Sequence, residues 1–266
     1  MKLMIRCDME GVTGVVHPTQ ASAESPDFSY GLEMLHHDIN AVVDGLLTTG
    51  DHEIWIYDMH FSGRSLHMAR LDPHVRVVCG KPHYRPGNVG GLTSDFDGLI
   101  LVGFHSKAGT GQLLAHSYER HIQDIRLNNI SVGEIGIEAA LAGEMAVPPI
   151  LVTGDSAGCA EAHALVEDVV TVAVKDSLGP TTAVCYPTAD TGARPRAGAR
   201  LAAERADEFE PFRVKHPATL SIGLENGPFA DHVRGKMGPH TQKDGSIRVQ
   251  ADSLALAWQK FLEAKP

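Results

Sequence analysis

The sequence predicts an α/β protein: a three-layer α/β/α arrangement with a largely parallel sheet, an inserted β-hairpin near residues 123–132 and a smaller C-terminal lobe. Three observations carry this. Short apolar runs alternate with helical stretches in the rhythm of βα units. An Asn-Asn pair breaks that rhythm at one place. Finally, 266 residues with 43% hydrophobic and 21% charged side chains can bury one sizeable core without requiring two full domains. No internal repeat and no low-complexity tract disturbs the pattern.

In order, Lys2–Cys7 reads as a buried strand and Tyr30–Leu47 as a helix ended by Thr48-Thr49-Gly50. Strands follow at Glu53–Asp58, Val75–Cys79 and Gly98–Val102, and this succession suits a sheet covered on both faces. Gln123–Leu127 and Ile130–Val132 flank Asn128-Asn129, a pair that tolerates the positive φ angles of a tight hairpin turn. Gly133–Met145 then reads as a helix, with strands at Pro149–Thr153 and Val169–Lys175. Arg194–Phe209, rich in Ala, Arg and Glu, is a helix on propensity. The last third holds strands at Ala218–Leu224 and Ser246–Gln250 and a closing helix, Asp252–Ala264, with Asp252 as its N-cap. Dense Pro and Gly near 176–198 and 226–245 mark candidate lobe boundaries within one domain spanning 1–266.

Composition excludes several functions. A formal charge of −10 disfavours a nucleic-acid partner, because such binding draws on clustered Lys and Arg. No apolar run approaches the roughly 20 residues needed to span a bilayer, and the start offers no secretory h-region, so no membrane partner and a cytoplasmic location are expected. Cys7, Cys79, Cys159 and Cys185 are widely spaced without a CxxC pair and read as free thiols. The fifteen histidines are an enrichment in the residue that most often serves as metal ligand and general base.

Ligands in open α/β sheets gather at the carboxyl ends of strands. Here the first strand exits into Asp8-Met9-Glu10-Gly11, the second into Asp58-Met59-His60, and the Gly98–Val102 run into Gly103-Phe104-His105. A spacing of two puts Asp8 with Glu10, and Asp58 with His60, on the same side of an extended chain. A lone D-x-E or D-x-H also describes a helix cap or a solvated turn. Three exits on one rim, each with a ligand type, point instead to a metal site. Carboxylates and imidazoles suit Zn²⁺, and two metals sharing an acidic bridge form a hydrolytic clamp. Another carboxylate comes from Glu134 or from Glu138 one turn later; spacing alone does not separate them. His116, beyond the Gly109-Thr110-Gly111 stretch, is a candidate proton shuttle or transition-state donor.

Gly154-Asp155-Ser156-Ala157-Gly158 matches G-x-S-x-G after a strand, the context of a serine nucleophile elbow, although no HGGG-like oxyanion segment precedes it. No dinucleotide fingerprint, Walker motif or H-E-x-x-H occurs.

As an ordered set, Asp8-Met9-Glu10-Gly11, Asp58-x-His60, Gly103-Phe104-His105, His116-Ser117 and Asn129-Ile130-Ser131-Val132-Gly133-Glu134 resemble the DppA-type D-aminopeptidase family of zinc metallopeptidases. Val147-Pro148, Gly154-Asp155 and Val174-Lys175 extend the resemblance over most of the chain. It implies two zinc ions per chain, with Asp8 bridging, Glu10 and His60 completing one and His105 and Glu134 the other. It also implies that His116 is the catalytic histidine beside a metal-bound hydroxide, that N-terminal D-residues are released from short peptides or aminoacyl amides, and that the chain forms a ring-shaped homo-oligomer, commonly a decamer. Ser156 and Tyr57 stand where the family usually has an acidic and a smaller polar residue.

The reading is therefore a single-domain metallohydrolase. The alternatives are a serine hydrolase using Ser156, a dinuclear phosphoesterase, and a non-catalytic metal- or peptide-binding protein.

Overall fold

The computed structural model describes residues 1–266. The chain runs β1 (Lys2–Cys7), α1 (Phe28–Leu47), β2 (Glu53–Asp58), β3 (Val75–Val78), β4 (Tyr84–Arg85), β5 (Asn88–Val89), β6 (Gly98–Phe104), β7 (Ile122–Leu127), β8 (Ile130–Val132) and α2 (Glu134–Glu144). It continues through β9 (Pro149–Asp155), α3 (Ser156–Leu165), β10 (Val170–Gly179), β11 (Thr182–Cys185), α4 (Thr188–Glu204), β12 (Ala218–Leu224), α5 (Pro228–Met237), β13 (Ile247–Ala251) and α6 (Leu254–Ala264).

Seven strands form the main sheet in the order β11-β10-β9-β6-β1-β2-β3, all parallel except the β10–β11 hairpin at one edge. Strands buried on both faces are apolar throughout, and every residue of β6 and β9 is buried. Alternation then sorts the side chains. Leu3, Ile5 and Cys7 of β1 pack with α1 and α4 on one face, whereas Met4 faces the opposite core with Leu101 and Val152.

That opposite core holds a finding the sequence pattern did not announce. β7 and β8 do not extend the main sheet; they pair with β12 and β13 in a second, antiparallel sheet of order β13-β12-β7-β8. Its inward residues Ile125, Leu220, Ile222, Ile247 and Val249 share one core with Ile137 and Leu141 of α2 and Trp258 and Phe261 of α6. The Asn128-Asn129 turn has both residues at positive φ, 47° and 72°, as a two-residue hairpin of this twist requires.

Two helices depart from expectation. α4 begins at Thr188 and ends at Glu204, because Pro195, Gly198 and Ala199 are buried against α1 and the sheet, and that packing outweighs weak local propensity. α6 begins at Leu254, and Asp252 does not cap it. The Glu144 carboxylate, at the end of α2, accepts instead from the amides of Leu254 and Ala255 and from Ser253 Oγ. β4, β5, β11 and α5 match no element expected from the sequence. All four cysteines are free thiols, and no helix is long and apolar enough to cross a membrane.

Candidate active site

The carboxyl ends of β1, β2 and β6 lie side by side, and the chain leaving β1 folds over its neighbour. Asp8 N donates to Val102 O at 2.9 Å and Gly11 N to Gly103 O at 2.7 Å. The approach is close enough that a Cβ on Gly11 would collide with Phe104 O, and one on Gly103, at φ +77°, with Asp8 O. Backbone crowding of this kind fixes where Asp8, Glu10 and His105 can point.

Asp8 sits at the centre. Its Oδ1 is 3.1 Å from His60 Nδ1 and its Oδ2 3.3 Å from His105 Nε2. Glu10 Oε2 lies 3.3 Å from the same His60 nitrogen, and Glu134 Oε1 lies 3.5 Å from His105 Nε2 and 3.7 Å from His116 Nε2. Donor atoms of Asp8, Glu10 and His105 fall within 4.8 Å of one another, as do those of His105, His116 and Glu134. Asp8, Glu10, His60, His105, His116 and Glu134 thus converge on one place.

The far side of each imidazole sets its orientation. His60 Nε2 is 2.8 Å from Ala21 O, His105 Nδ1 2.9 Å from Ser106 O, and His116 Nδ1 2.9 Å from Leu114 O. Each of these nitrogens donates to a carbonyl, so the opposite nitrogen presents a lone pair toward carboxylates. Lone pairs facing anions repel unless a proton or a cation lies between them. Asp8 Oδ2, Glu10 Oε2 and His105 Nε2 are buried with no hydrogen-bond partner. In the metal-free protein protons fill the need: burial disfavours an imidazolium at His60, but Glu10 and Asp8 overcome it and push its pKa up to about 11. His105 is raised in the same way, against its burial, by Asp8 and Glu134. Asp8 and Glu10, which burial alone would raise, are held below the usual carboxylate range, Asp8 by His105 and His60 and Glu10 by His60. A buried oxygen-and-nitrogen donor set of this charge suits divalent cations.

Glu134 is separated from Glu138 by what each touches. Glu134, the first residue of α2, accepts from Tyr118 N at 2.7 Å and reaches the cluster. Glu138 forms a fully buried ion pair with Arg6 and accepts from Tyr118 Oη at 2.7 Å. Asp58 corrects the pairing expected from its spacing to His60. Its carboxylate turns back to accept the amides of His60, at 3.1 Å, and Ser65, at 2.5 Å, so it braces the loop after β2.

The model of the D-aminopeptidase peptidase family matches residues 1–262. The chain belongs to the D-aminopeptidase family. It is 27% identical to the D-aminopeptidase of Bacillus subtilis (strain 168), an alignment covering 98% of this chain and 96% of that protein. Among solved structures it superposes with a TM-score of 0.93 and 26% identity on the Zn-dependent D-aminopeptidase DppA from Bacillus subtilis, described as a self-compartmentalizing protease, over 99% of this chain and 96% of that one.

As a member of a peptidase family the protein is an enzyme, and the cluster of the D-aminopeptidase chain lies in a cavity of about 1140 Å³. Asp8, Glu10, His60, His116 and Glu134 line it, together with Lys81, Tyr118, Trp258 and Gln259, which no motif marked. Trp258 and Gln259 arrive on α6, whose amphipathic pattern signals a helix but not what the helix overlooks. Ser156 takes no part. It opens α3 behind Asp155, whose Oδ1 accepts the amides of Ala157 and Gly158, and its own Oγ accepts Ser177 N at 3.0 Å with no histidine bonded to it. The G-x-S-x-G match is a capped helix start, and the serine-hydrolase alternative is not favoured.

Proposed function

We propose that this chain is a zinc-dependent aminopeptidase that releases an N-terminal D-residue from short peptides or aminoacyl amides, using two zinc ions per chain and working as a homo-oligomer. One observation carries the metal reading: three imidazoles each tie one nitrogen to a backbone carbonyl and aim the other at buried carboxylates. Family membership supports the peptidase chemistry and the D-preference. The zinc-dependent, self-compartmentalizing structural neighbour supports the choice of metal and the assembly.

Asp8 would bridge the two ions, with Glu10 and His60 holding one and His105 and Glu134 the other. When bound, zinc supplies Lewis acidity, acidifying water and polarising the scissile carbonyl. The chain supplies the proton traffic. His116 is partly exposed to the cavity and donates from Nδ1 to Leu114 O, so its Nε2 is free to accept a proton from the attacking water and return it to the leaving amine. Leu114 and Tyr118, on either side of it, adopt left-handed φ values of 47° and 58°, a strained arc imposed by their amide bonds to Pro180 O and to the Glu134 carboxylate.

A second reading has its own observation. Because His116 falls within ligand distance of His105 and Glu134, it could instead complete that metal group. Elemental analysis of protein purified without chelator, beside Asp8→Ala, and turnover across matched D- and L-aminoacyl amides and dipeptides test the proposal. About two zinc per chain, lost in the variant, with faster D-turnover is expected. A chain that takes up no zinc, or that prefers L-substrates, overturns it. Light scattering tests the assembly: a ring of subunits, a decamer in its fullest form, is expected, and a monomer at assay concentration removes it.

A further inference from the structure

The chain between Glu10 and Val15 does not rest on its own strand. It runs across the carboxyl ends of the neighbouring strands, crowded onto β6 at Gly11. Its other support comes from β10, three places away from β1 in the sheet. Lys175 is fully buried there, and its Nζ donates to Glu10 O at 2.7 Å, to Val12 O at 2.6 Å and to Val15 O. An ammonium has three N–H donors. All three are used on one six-residue stretch, so its hydrogen bonds go to backbone carbonyls, while the charges of Asp155 and Asp38 favour the ammonium from outside those bonds. A buried cation satisfied by backbone carbonyls alone is costly to keep. Lysine is long enough to reach from β10 and carries the full set of donors, which an apolar residue of the same length lacks.

The same stretch has one more tether. The Asp38 carboxylate of α1 accepts Thr13 N at 2.9 Å and Thr13 Oγ1 at 2.6 Å. Lys175 pulls on carbonyls and Asp38 on donors, so the two hold opposite polarities of the same backbone. Only Lys175, however, bonds the main chain of Glu10 itself.

We propose that Lys175 is a positioning residue that holds the Glu10 backbone so that its carboxylate meets His60, and that it thereby sets the affinity of the metal group containing Glu10 and His60. This rests on the two-zinc reading above. The His105–Glu134 side hangs on β6 and α2, to which Lys175 makes no hydrogen bond, so the effect falls first on the ion held by Glu10 and His60.

The test is Lys175→Met, which keeps an unbranched side chain of similar volume but removes the donors, with zinc dissociation constants read by chelator competition alongside thermal unfolding. Wild type with two bound zinc ions supports the function proposed above; wild type with none sinks that reading independently of the clamp. In the variant, one zinc dissociation constant should rise about 10–100-fold, the range seen when a group supporting a ligand is removed, while the other stays near the wild-type value. Two unchanged constants overturn the clamp. Equal weakening of both, in step with a lower Tm, also overturns it and makes Lys175 a structural residue only. Should Lys175→Met fail to fold, Lys175→Gln, which keeps two N–H donors on a shorter side chain, is read in the same way: selective weakening of one zinc supports the proposal, and unchanged binding of both overturns it.

Discussion

His116 lies flat against His105, with ring centroids 4.3 Å apart and planes 9° from parallel. Stacking fixes the plane in which His116 Nε2 can move a proton, and it sets the residue whose chemistry is open against one that is fully enclosed.

Replacing His116 by Ala should lower kcat by about 10²–10⁴-fold, the usual weight of a positioned acid or base. Zinc content should stay at the wild-type level. Measuring both in one preparation separates the two readings of this residue: a loss of one zinc equivalent would make it a ligand.

Zinc uptake should release protons. At pH 7 the metal-free protein holds an imidazolium at His60, whose pKa is about 11, and another at His105, which is also raised. Both must lose a proton before a metal can bind, so affinity falls as pH is lowered. Calorimetric titration in two buffers of different ionisation enthalpy should give about two protons released per chain. Zero release would mean that both rings are already neutral.

Ser156→Ala should retain near-wild-type turnover. Its Oγ serves only as an acceptor for Ser177 N, so the change should cost about 1 kcal/mol of stability in urea unfolding. A variant that folds yet loses activity while His116 is intact would return the nucleophile role to Ser156.

Glu144→Ala should act on recognition rather than on chemistry. The carboxylate satisfies the first amides of α6, and α6 carries Trp258 and Gln259 to the cavity. Removing the cap should cost about 1–2 kcal/mol and fray the helix start. KM for short peptides should rise with kcat little changed; a matching fall in kcat would show that α6 also orders the His116 loop.

The legible parts of this molecule were those in which local chemistry and global fold agree. Glu53–Asp58 and Ala218–Leu224 are strands over the expected residues, and Asn128-Asn129 turns as its composition demands. The convergence of strand exits could be read because parallel topology places them on one rim. Long-range partners were not legible. Nothing near Glu144 says that it caps a helix more than a hundred residues later, and nothing near Lys175 says that it reaches the β1 exit. Asp58 misled because spacing fixes the side of an extended chain, and the chain turns immediately after it. The second sheet, like the reach of Glu144 and Lys175, depends on long-range pairing: β7 meets β12 across almost a hundred residues.

The strand exits hold the groups that chemistry would need, while much of the cavity wall is drawn from Lys81, the residues on either side of His116, and α6. These are separate stretches of sequence under different constraints. At the rim, Gly11 and Gly103 leave no room even for a methyl group, so variation there is closed. On the walls, half-buried Leu262 and exposed Glu263 can change size and polarity without moving a strand, whereas Trp258 is buried in the shared core and Gln259 accepts the amide of Tyr84 in β4. A lineage carrying this fold can therefore drift from one peptide to another while its reactive centre stands still, and a laboratory seeking altered selectivity would randomise Leu262 and Glu263 and leave the rim alone.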